Sequence, residues 1–400
     1  MKKIKIIFIH HGIGIGGAPI SLLNLVQGLN SNYYDVKVAF IKDSKAVNMF
    51  SNNGIKTEII NSSNKYFVHN ETGKIAWYYF YKYPIIIYQW IKTAYITAPN
   101  YLKKQKADII HLNSHVLSSW AFAAKKNNFK VVCHNREAIA KGYIGVRLYI
   151  LRKILDFSAD IVINISKDNE RRLGLFQKSR VVYNFTNIPE NYLSPFSEKL
   201  NNVKILYLGG MAKIKGFESV VECLKFLNSG IKVQIAGNIA KINSGNGIKA
   251  TIKNILKSTI YRKKYLPLKI ISKSSNAEVL GLLNNPLPFI DNCDILITPY
   301  KIEHFSRPAI EAFAYGKPVI GSNVEGMEEI IDHGVNGILI KKNNPMELAK
   351  AINYLCQNKD KAIEMGRKGR EKAQKLFSPE VNLNKIEKIY NLLISEHISL

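Results

Sequence analysis

The sequence predicts an α/β protein made of two doubly wound domains in tandem, each with a parallel β-sheet covered by helices. Short apolar segments alternate with helical patterns from end to end, which is typical of parallel sheets. The 400 residues also exceed what one hydrophobic core usually holds. This pattern pauses at the Pro-, Asn- and Ser-rich stretch 187–203, which we interpret as an interdomain linker.

The apolar runs place the strands of both domains. In the first domain, residues 1–186, the predicted strands are 4–9, 36–41, 109–112, 130–133 and 160–163. In the second domain, residues 204–378, they are 204–210, 232–237, 293–300, 318–322 and 337–341. Residues 238–266 form a basic insertion of unassigned role, and 379–400 read as a final helix. We expect the two Rossmann-like domains to face each other across a cleft at the carboxyl ends of their strands.

The strongly basic composition indicates an anionic partner. There are 57 Lys and Arg against 30 Asp and Glu, a net charge of +27 spread over both halves. Nucleic acid is not expected, because the chain has no zinc-finger spacing, aromatic RNP-like strand or basic heptad helix. An anionic membrane surface fits the aromatic and Lys-containing run at 75–99, although the same run would also suit a pair of core helices. Its aromatic residues include Trp77, Tyr78, Tyr81, Tyr88 and Trp90.

Cysteine usage and hydropathy predict a protein of the reducing cytoplasm. The four cysteines, Cys133, Cys223, Cys293 and Cys356, lie far apart, without disulfide or zinc-site spacing. The apolar start of the chain is too short for a signal peptide. Because Lys82, Pro84 and Lys92 interrupt the most hydrophobic run, no transmembrane segment is predicted.

A glycine loop follows the first strand in "HGIGIGGAPISLLNL". Gly12, Gly14 and Gly17 form a G-x-G-x-x-G pattern, in which glycines let a diphosphate approach the amides of the next helix. A nicotinamide-binding domain also needs an acidic residue at the end of the second strand. Asp35 stands at the beginning of that strand, and Asp43 comes late, so the pattern is weak evidence for a dinucleotide.

Two motifs in the second domain indicate candidate binding residues more specifically. In "LGGMAKIKGF", Lys213 and Lys215 lie just before a helix, where a lysine can hold a phosphate or simply be solvated. In "EHFSRPAIEAF", Glu303 precedes a helix that contains Glu311. Eight helical residues span about 12 Å, which is awkward for a glycosidase carboxylate pair. The two carboxylates are better suited to accepting hydrogen bonds from different hydroxyls of a sugar nucleotide.

With these motifs the chain resembles the retaining glycosyltransferases of the group-one (family four) type, which have the GT-B fold. The resemblance covers nearly the whole length. The matching segments are "GIGGAPISLLNL", "ADIVINIS", "VVYNFTNI", "LGGMAKIKG" and "EHFSRPAIEAFAYGKPVIGSNVEGMEEIIDHGVNGILI". The last is the most specific, with the family's Glu-x7-Glu core and trailing glycines.

The resemblance implies a role for each matching residue. Lys215 would hold the diphosphate, Glu311 the ribose hydroxyls and Glu303 the hydroxyls of the transferred sugar. The backbone of Phe305 and Ser306 would contact the sugar or phosphate.

In the first domain, Gly16 and Gly17 match the family's N-terminal glycine pair. His134 matches a histidine that approaches the transferred sugar, although a histidine there could also be a structural cap.

Four positions depart from the family pattern. Gly210 stands where the family usually has an arginine, so half of the positive clamp is missing. We hypothesise that Arg307, where an aliphatic residue is more common, partly replaces it. His304 and Ser306 occupy positions that are often glycine, which narrows the loop.

The resemblance also implies a reaction. No D-x-D occurs in the chain, so neither a metal nor another cofactor is expected, and a UDP- or GDP-sugar would be the donor. Lys215 and helix amides would stabilise the departing nucleotide while the anomeric configuration is retained. The acceptor would bind the first domain, to which the final helix crosses back in this fold. Charge and family together suggest a lipid-linked saccharide acceptor at the inner membrane face, in surface polysaccharide assembly. A nucleotide-sugar epimerase and a noncatalytic binding protein of the same fold remain alternatives.

Overall fold

The chain forms two compact units. The computed structural model describes residues 3–12, 14–60, 83–137, 139, 143–196, 203–239 and 267–395. Unit 1 comprises Met1–Thr186 and Leu376–Leu400, and unit 2 comprises Asn187–Lys375. The predicted basic insertion lies outside the described residues from position 240 onward.

Unit 1 is built on a seven-stranded parallel sheet. Its strands are β1 (Ile4–His10), β2 (Tyr34–Phe40), β3 (Lys56–Ile59), β4 (Ile109–Leu112), β5 (Lys130–Asn135), β6 (Ile161–Asn164) and β7 (Ser179–Val181). They are ordered β3-β2-β1-β4-β5-β6-β7. The five predicted strands are present within two residues, whereas β3 and β7 were missed. The order reverses direction between β1 and β4, which makes the carboxyl ends of these strands the expected ligand-binding edge.

Helices cover both faces of this sheet. The α-helices of unit 1 are Gly17–Gly28, Lys45–Asn52, Tyr83–Lys92, Ala98–Leu102, Ser118–Lys126, Val146–Ser158, Lys167–Leu173 and Pro379–Ser395. Because successive strand residues face opposite sides, Ile6 and Phe8 enter one core while Ile7 and Ile9 enter the other. The final helix joins the first of these cores through Ile386, Ile389, Tyr390 and Leu393.

Unit 2 has a six-stranded parallel sheet. Its strands are β8 (Val203–Tyr207), β9 (Ile231–Ala236), β10 (Ala277–Gly281), β11 (Ile295–Thr298), β12 (Val319–Ser322) and β13 (Gly337–Ile340). They are ordered β10-β9-β8-β11-β12-β13. All five predicted strands are present, and β10 was missed. The order reverses between β8 and β11, so the loops after these two strands define the expected binding edge.

The helices of unit 2 all contribute buried hydrophobic residues to its interior. They are Phe217–Cys223, 267–273, Leu287–Asp291, Arg307–Ala314, Pro345–Gln357 and Lys359–Leu376. The last of these helices ends at Leu376, where the chain returns to unit 1. The segment predicted as a linker is irregular over 187–196 and attached to unit 2. There, the Leu193 amide donates to Asp291 Oδ1 at 2.8 Å, and Lys317 donates to the Leu193 carbonyl.

Candidate functional site

The turn after β8 is built around glycine at position 210. Gly210 has φ +55°, and its amide donates to the Ala236 carbonyl at 2.9 Å. A Cβ at this position would lie 2.7 Å from the Asn238 nitrogen. An arginine cannot be accommodated here without moving the backbone, so the missing clamp residue is a property of the local fold.

Lys215 lies in a short 3-10 turn, Lys213–Lys215, held between the ends of the two central strands. The Tyr207 hydroxyl donates to the Lys215 carbonyl at 3.2 Å. Gly216 follows with φ +81°, and a Cβ there would clash with the Pro299 carbonyl at 1.9 Å. The lysine backbone is therefore fixed at the point where the strand order reverses.

The neighbouring Lys213 has a different setting. Its Nζ is 3.7 Å from Glu218 Oε1, and Lys301 Nζ is 2.6 Å from Glu218 Oε2. Of the two lysines that the sequence singled out, Lys213 therefore belongs to a surface charge cluster with Glu218 and Lys301.

The loop after β11 brings an aromatic pair next to Lys215. The rings of Tyr300 and His304 stack with centroids 4.0 Å apart and planes 21° apart. The His304 amide donates to the Glu325 carbonyl at 3.1 Å, and this fixes the residue beside Glu303. Burial, together with the nearby positive charge of Lys215, lowers the pKa of His304 to about 3, so its imidazole is neutral.

Phe305 and Ser306 complete this loop and are buried. Ser306 Oγ lies 3.3 Å from Thr298 Oγ1 at the end of β11, and it makes no cap hydrogen bond to the helix that begins at Arg307. The hydroxyl that would ordinarily cap this helix is used to hold the loop on the sheet.

Arg307 and Glu311 form an ion pair on the first turns of that helix. Arg307 Nε donates to Glu311 Oε1 at 2.6 Å, and both side chains are largely buried. Burial raises the pKa of Glu311, and the guanidinium of Arg307 opposes that rise. Glu303 precedes the helix and is half-buried in the loop.

The glycines in the loop after β1 differ in whether a side chain would fit at their position. A Cβ at Gly12 would lie 2.3 Å from His10 Nε2, so a side chain there would have to displace the buried His10 ring. A Cβ at Gly14, Gly16 or Gly17 would meet no atom within 4 Å among the described residues. Because these glycines have no side chains, the space in front of the Gly17–Gly28 helix is open among the described residues. The close approach of a ligand requires such space.

His134, the penultimate residue of β5, lies in a buried polar network. It is 2% exposed, and its Nδ1 lies 3.3 Å from both His111 Nε2 and Arg136 Nη2. In the described part of the chain its Nε2 is buried without a hydrogen-bond partner. Burial and the charge of Arg136 hold the pKa of His134 well below its ordinary value.

Sequence reasoning missed the residues that extend this network. Arg136 donates from Nε to Asn113 Oδ1 at 2.5 Å and from Nη1 to Asn184 Oδ1 at 2.7 Å. Asn113 Nδ2 in turn lies 3.0 Å from His10 Nδ1. The available signal is the run of polar residues directly after the buried strands β4 and β5, since parallel strands end at one edge.

A second polar group lies at the same edge of unit 1. Ser114 Oγ donates to Glu137 Oε2 at 2.7 Å, and His115 Nδ1 lies 2.9 Å from Asn135 Oδ1. Among the described residues there is no group of three or more His, Cys, Asp or Glu side chains that could hold a metal ion.

The Tyr83–Lys92 helix and the π-helical segment Thr93–Thr97 expose many apolar side chains. The exposed ones are Tyr83, Ile85, Ile87, Tyr88, Ile91, Tyr95 and Ile96. Trp90 anchors the segment by donating to Ser118 Oγ at 3.1 Å. The predicted interfacial residues Trp77, Tyr78 and Tyr81 lie outside the described residues. In the part of the chain that the structure describes, no helix has the length and apolarity needed to cross a bilayer.

Comparison with known proteins gives a consistent result. Residues 191–372 match the family model of the glycosyl transferases group 1. An uncharacterized glycosyltransferase of Methanocaldococcus jannaschii is 26% identical over 305 residues, covering 75% of this chain and 80% of that protein. The capsular polysaccharide biosynthesis glycosyltransferase CapM of Staphylococcus aureus is 24% identical over 275 residues, covering 64% of this chain and 68% of CapM.

Solved structures show the same fold. Anabaena Alr3699/HepE, in complex with UDP and glucose, superimposes with a TM-score of 0.75 at 17% identity, covering 97% of this chain and 99% of that one. Sucrose-phosphate synthase from Thermosynechococcus elongatus gives a TM-score of 0.72 at 19% identity, covering 98% and 100%. The predicted GT-B class is confirmed.

Proposed function

We propose that this chain, which belongs to the group 1 glycosyltransferases, transfers a sugar from a UDP- or GDP-sugar to a saccharide acceptor with retention of the anomeric configuration. The observation that carries the proposal is the arrangement in unit 2 of Lys215, Glu303 and Glu311. All three come from the loops and helix that follow β8 and β11, where the strand order reverses. Such reversal points are where open parallel sheets bind nucleotides.

Each of these residues has a role suited to its setting. Lys215 binds the diphosphate, aided by the amides at the start of the Arg307–Ala314 helix. Glu311 accepts hydrogen bonds from the ribose hydroxyls, and Glu303 accepts them from the transferred sugar. As the bond to the diphosphate breaks, Lys215 and the helix amides stabilise the developing negative charge, so no metal ion is required.

In unit 1, we assign the acceptor to the polar edge formed by the ends of β1, β4 and β5. The open space in front of Gly16 and Gly17 admits a ligand close to the backbone. His134, for which the family resemblance implies a contact with the transferred sugar, offers a buried ring nitrogen without a protein partner among the described residues. Polar side chains from separate strands can bind several hydroxyls at once, as a saccharide requires.

Surface polysaccharide assembly is the process we propose, with a lipid-linked saccharide as acceptor. The relative CapM of Staphylococcus aureus is named as a glycosyltransferase of capsular polysaccharide biosynthesis. The net charge of +27 favours a cytoplasmic enzyme that binds peripherally to the anionic inner face of the membrane. The exposed apolar side chains of 83–97 would enter the interface, with Lys92 beside them.

Membrane binding is tested by co-sedimentation with phosphatidylcholine vesicles with and without phosphatidylglycerol. We expect binding to the anionic vesicles at low salt and its loss at high salt. The double variant Ile87→Ser with Tyr88→Ser should bind less, whereas Tyr354→Ser with Ile363→Ser, which removes two exposed apolar residues from unit 2, should not. Equal sedimentation of both variants would contradict a membrane role for 83–97.

Transfer is tested by incubating nucleotide sugars with a saccharide acceptor and measuring the glycosylated product. Glu303→Gln should lower kcat about a hundredfold or more, since a charged hydrogen-bond acceptor is lost. Glu328→Gln, the same change at an exposed position of unit 2, should leave kcat unchanged. Interconversion of the donor sugar would support the epimerase alternative, and binding without either reaction would support a noncatalytic binding protein.

The diphosphate role of Lys215 is tested by titration calorimetry with UDP and GDP. Lys215→Ala should weaken the binding of the preferred nucleotide by tenfold or more. The matched variant Lys213→Ala, which removes a lysine paired with Glu218, should retain it within about twofold. Equal losses in the two variants would indicate a general charge effect instead of a contact.

A further inference from the structure

A line of hydrogen bonds links the C-terminal helix of unit 1 to His134. The Tyr390 hydroxyl lies 2.7 Å from His111 Nδ1. On the other side of the same ring, His111 Nε2 lies 3.3 Å from His134 Nδ1. All three side chains are buried.

Arg136 determines the direction of these bonds. A guanidinium can only donate, and Arg136 Nη2 lies 3.3 Å from His134 Nδ1. His134 Nδ1 is therefore an acceptor without a proton. His111 Nε2, which faces the same nitrogen, must then donate, which leaves His111 Nδ1 to accept a hydrogen bond from the Tyr390 hydroxyl.

The protonation states agree with this direction. Burial raises the pKa of Tyr390 well above its ordinary value, so the hydroxyl keeps its proton. Burial and the charge of Arg136 hold the pKa of His111 and of His134 well below the ordinary value, so both rings are neutral. A neutral His134 without a proton on Nδ1 carries it on Nε2.

We propose that Tyr390 and His111 are positioning residues that, together with Arg136, hold His134 in the Nε2–H form, as a hydrogen-bond donor to an oxygen of a bound sugar. The proposal deepens the function proposed above and rests on it only for the identity of the ligand. His134 Nε2 is buried without a partner in the described part of the chain, and a buried donor left without a partner costs free energy. A ligand oxygen that accepts from Nε2 recovers this energy.

The position of Tyr390 explains how a distant helix takes part. Tyr390 packs in the core beside Ile386 and Ile389, and its ring lies edge-on to Tyr34 at 5.9 Å. The hydroxyl is therefore held at one place by apolar packing, and it fixes the His111 ring through a short bond. The helix that returns to unit 1 thus stabilises the core and also orients the histidine.

Nitrogen NMR of the protein labelled with 15N-histidine reads these states directly and needs no ligand. Variants assign the signals of His111 and His134 among the nine histidines. We expect both rings to be neutral, with the proton on Nε2. A proton on Nδ1 of His134, or a charged ring at pH 7, would overturn the proposal.

Tyr390→Phe then tests the positioning role. Loss of the hydroxyl should shift the nitrogen signal of His111 Nδ1, which loses its hydrogen-bond donor, and lower kcat for sugar transfer about tenfold. Tyr34→Phe is the matched control, since it removes a neighbouring buried hydroxyl that contacts Asn391, and it should change neither. An unchanged His111 spectrum, or an unchanged kcat, in Tyr390→Phe would overturn the positioning role of Tyr390.

The proposed function and the positioning role fail in different ways. If the wild-type protein transfers no sugar from any donor, the proposed function fails, yet the NMR result still decides the state of His134. If transfer occurs and the wild-type His134 carries its proton on Nδ1, only the positioning role fails.

Discussion

Arg307 and Glu311 lie one helical turn apart and pair through a 2.6 Å bond between Nε and Oε1, with both side chains largely buried. The sequence suggested separate roles for them, Arg307 as a replacement for a missing clamp residue and Glu311 as a ligand for ribose. Their pairing means that neither can be changed without altering the other.

Replacing Arg307 should therefore affect stability as well as donor binding. Arg307→Leu leaves the buried Glu311 carboxylate without this partner and should destabilise unit 2 by about 3 kcal/mol. The double variant Arg307→Leu with Glu311→Gln should lose less than the sum of the single changes. Urea titrations followed by hydrogen exchange in unit 2 peptides measure both quantities, and additive losses would contradict the coupling.

Restoring the family's arginine at position 210 should fail. Gly210→Arg forces a side chain into a left-handed backbone conformation and against the Asn238 backbone, at a cost of about 2 kcal/mol or more. The comparison of Gly210→Ala with Gly281→Ala separates the two effects, because Gly281 also has positive φ but has open space around it among the described atoms. Equal destabilisation by these alanine variants in urea denaturation would show that the Asn238 contact contributes nothing.

The final helix should be essential to the stability of unit 1. Leu393 is 3% exposed in the core, and Leu393→Ala should cost about 2–5 kcal/mol. Leu392→Ala, one position earlier and 43% exposed, should cost less than about 1 kcal/mol. All three tryptophans, at positions 77, 90 and 120, belong to unit 1, so their fluorescence during urea unfolding reports this unit. Similar losses for both leucines would contradict this packing.

Acid should weaken unit 1 through its buried histidines. The pKa of His111 is lowered in the folded state, so below about pH 6.5 the unfolded chain takes up a proton that the folded chain does not. The stabilising contribution is complete above that pH and is lost as the pH falls. Between pH 7 and pH 5 the loss from His111 amounts to at most about 2 kcal/mol.

His111→Gln should therefore reduce the difference in unfolding free energy between pH 7 and pH 5, by at most about 2 kcal/mol. Tryptophan fluorescence in urea at the two pH values measures this difference. His333→Gln, at an exposed position of unit 2, controls for the loss of one histidine. An unchanged pH dependence in His111→Gln would mean that His111 is already protonated in the folded protein.

Every central strand of the two sheets could be predicted from the sequence, but of the four edge strands only β13 could. The strand β4, buried along its whole length, has the predicted bounds 109–112. The missed strands β3, β7 and β10 are all at the edges of their sheets. β3 reads Lys-Thr-Glu-Ile and is partly exposed, so it lacks the apolar run that marks a central parallel strand.

Part of the candidate site could likewise be predicted from the sequence, and part of it could not. In unit 2 the motif residues Glu303 and Glu311 are close in sequence, so a local motif together with the family resemblance proposes both. The pair of Tyr390 and His111 is separated by 279 positions, and no local pattern joins a helix residue to a strand residue at that distance. Its existence depends on how the last helix packs, which the tertiary structure determines.

The proposed binding of a nucleotide sugar is tested most directly by a thermal-shift panel of UDP-, GDP- and ADP-sugars together with NAD. The panel is run without added metal on the wild-type protein and on Glu311→Gln. We predict that sugars of one nucleotide stabilise the wild type, by about 2.7 kcal/mol at a hundred times the dissociation constant, and that Glu311→Gln weakens the effect. Stabilisation by NAD alone would contradict the glycosyltransferase assignment and return the glycine loop of unit 1 to dinucleotide binding.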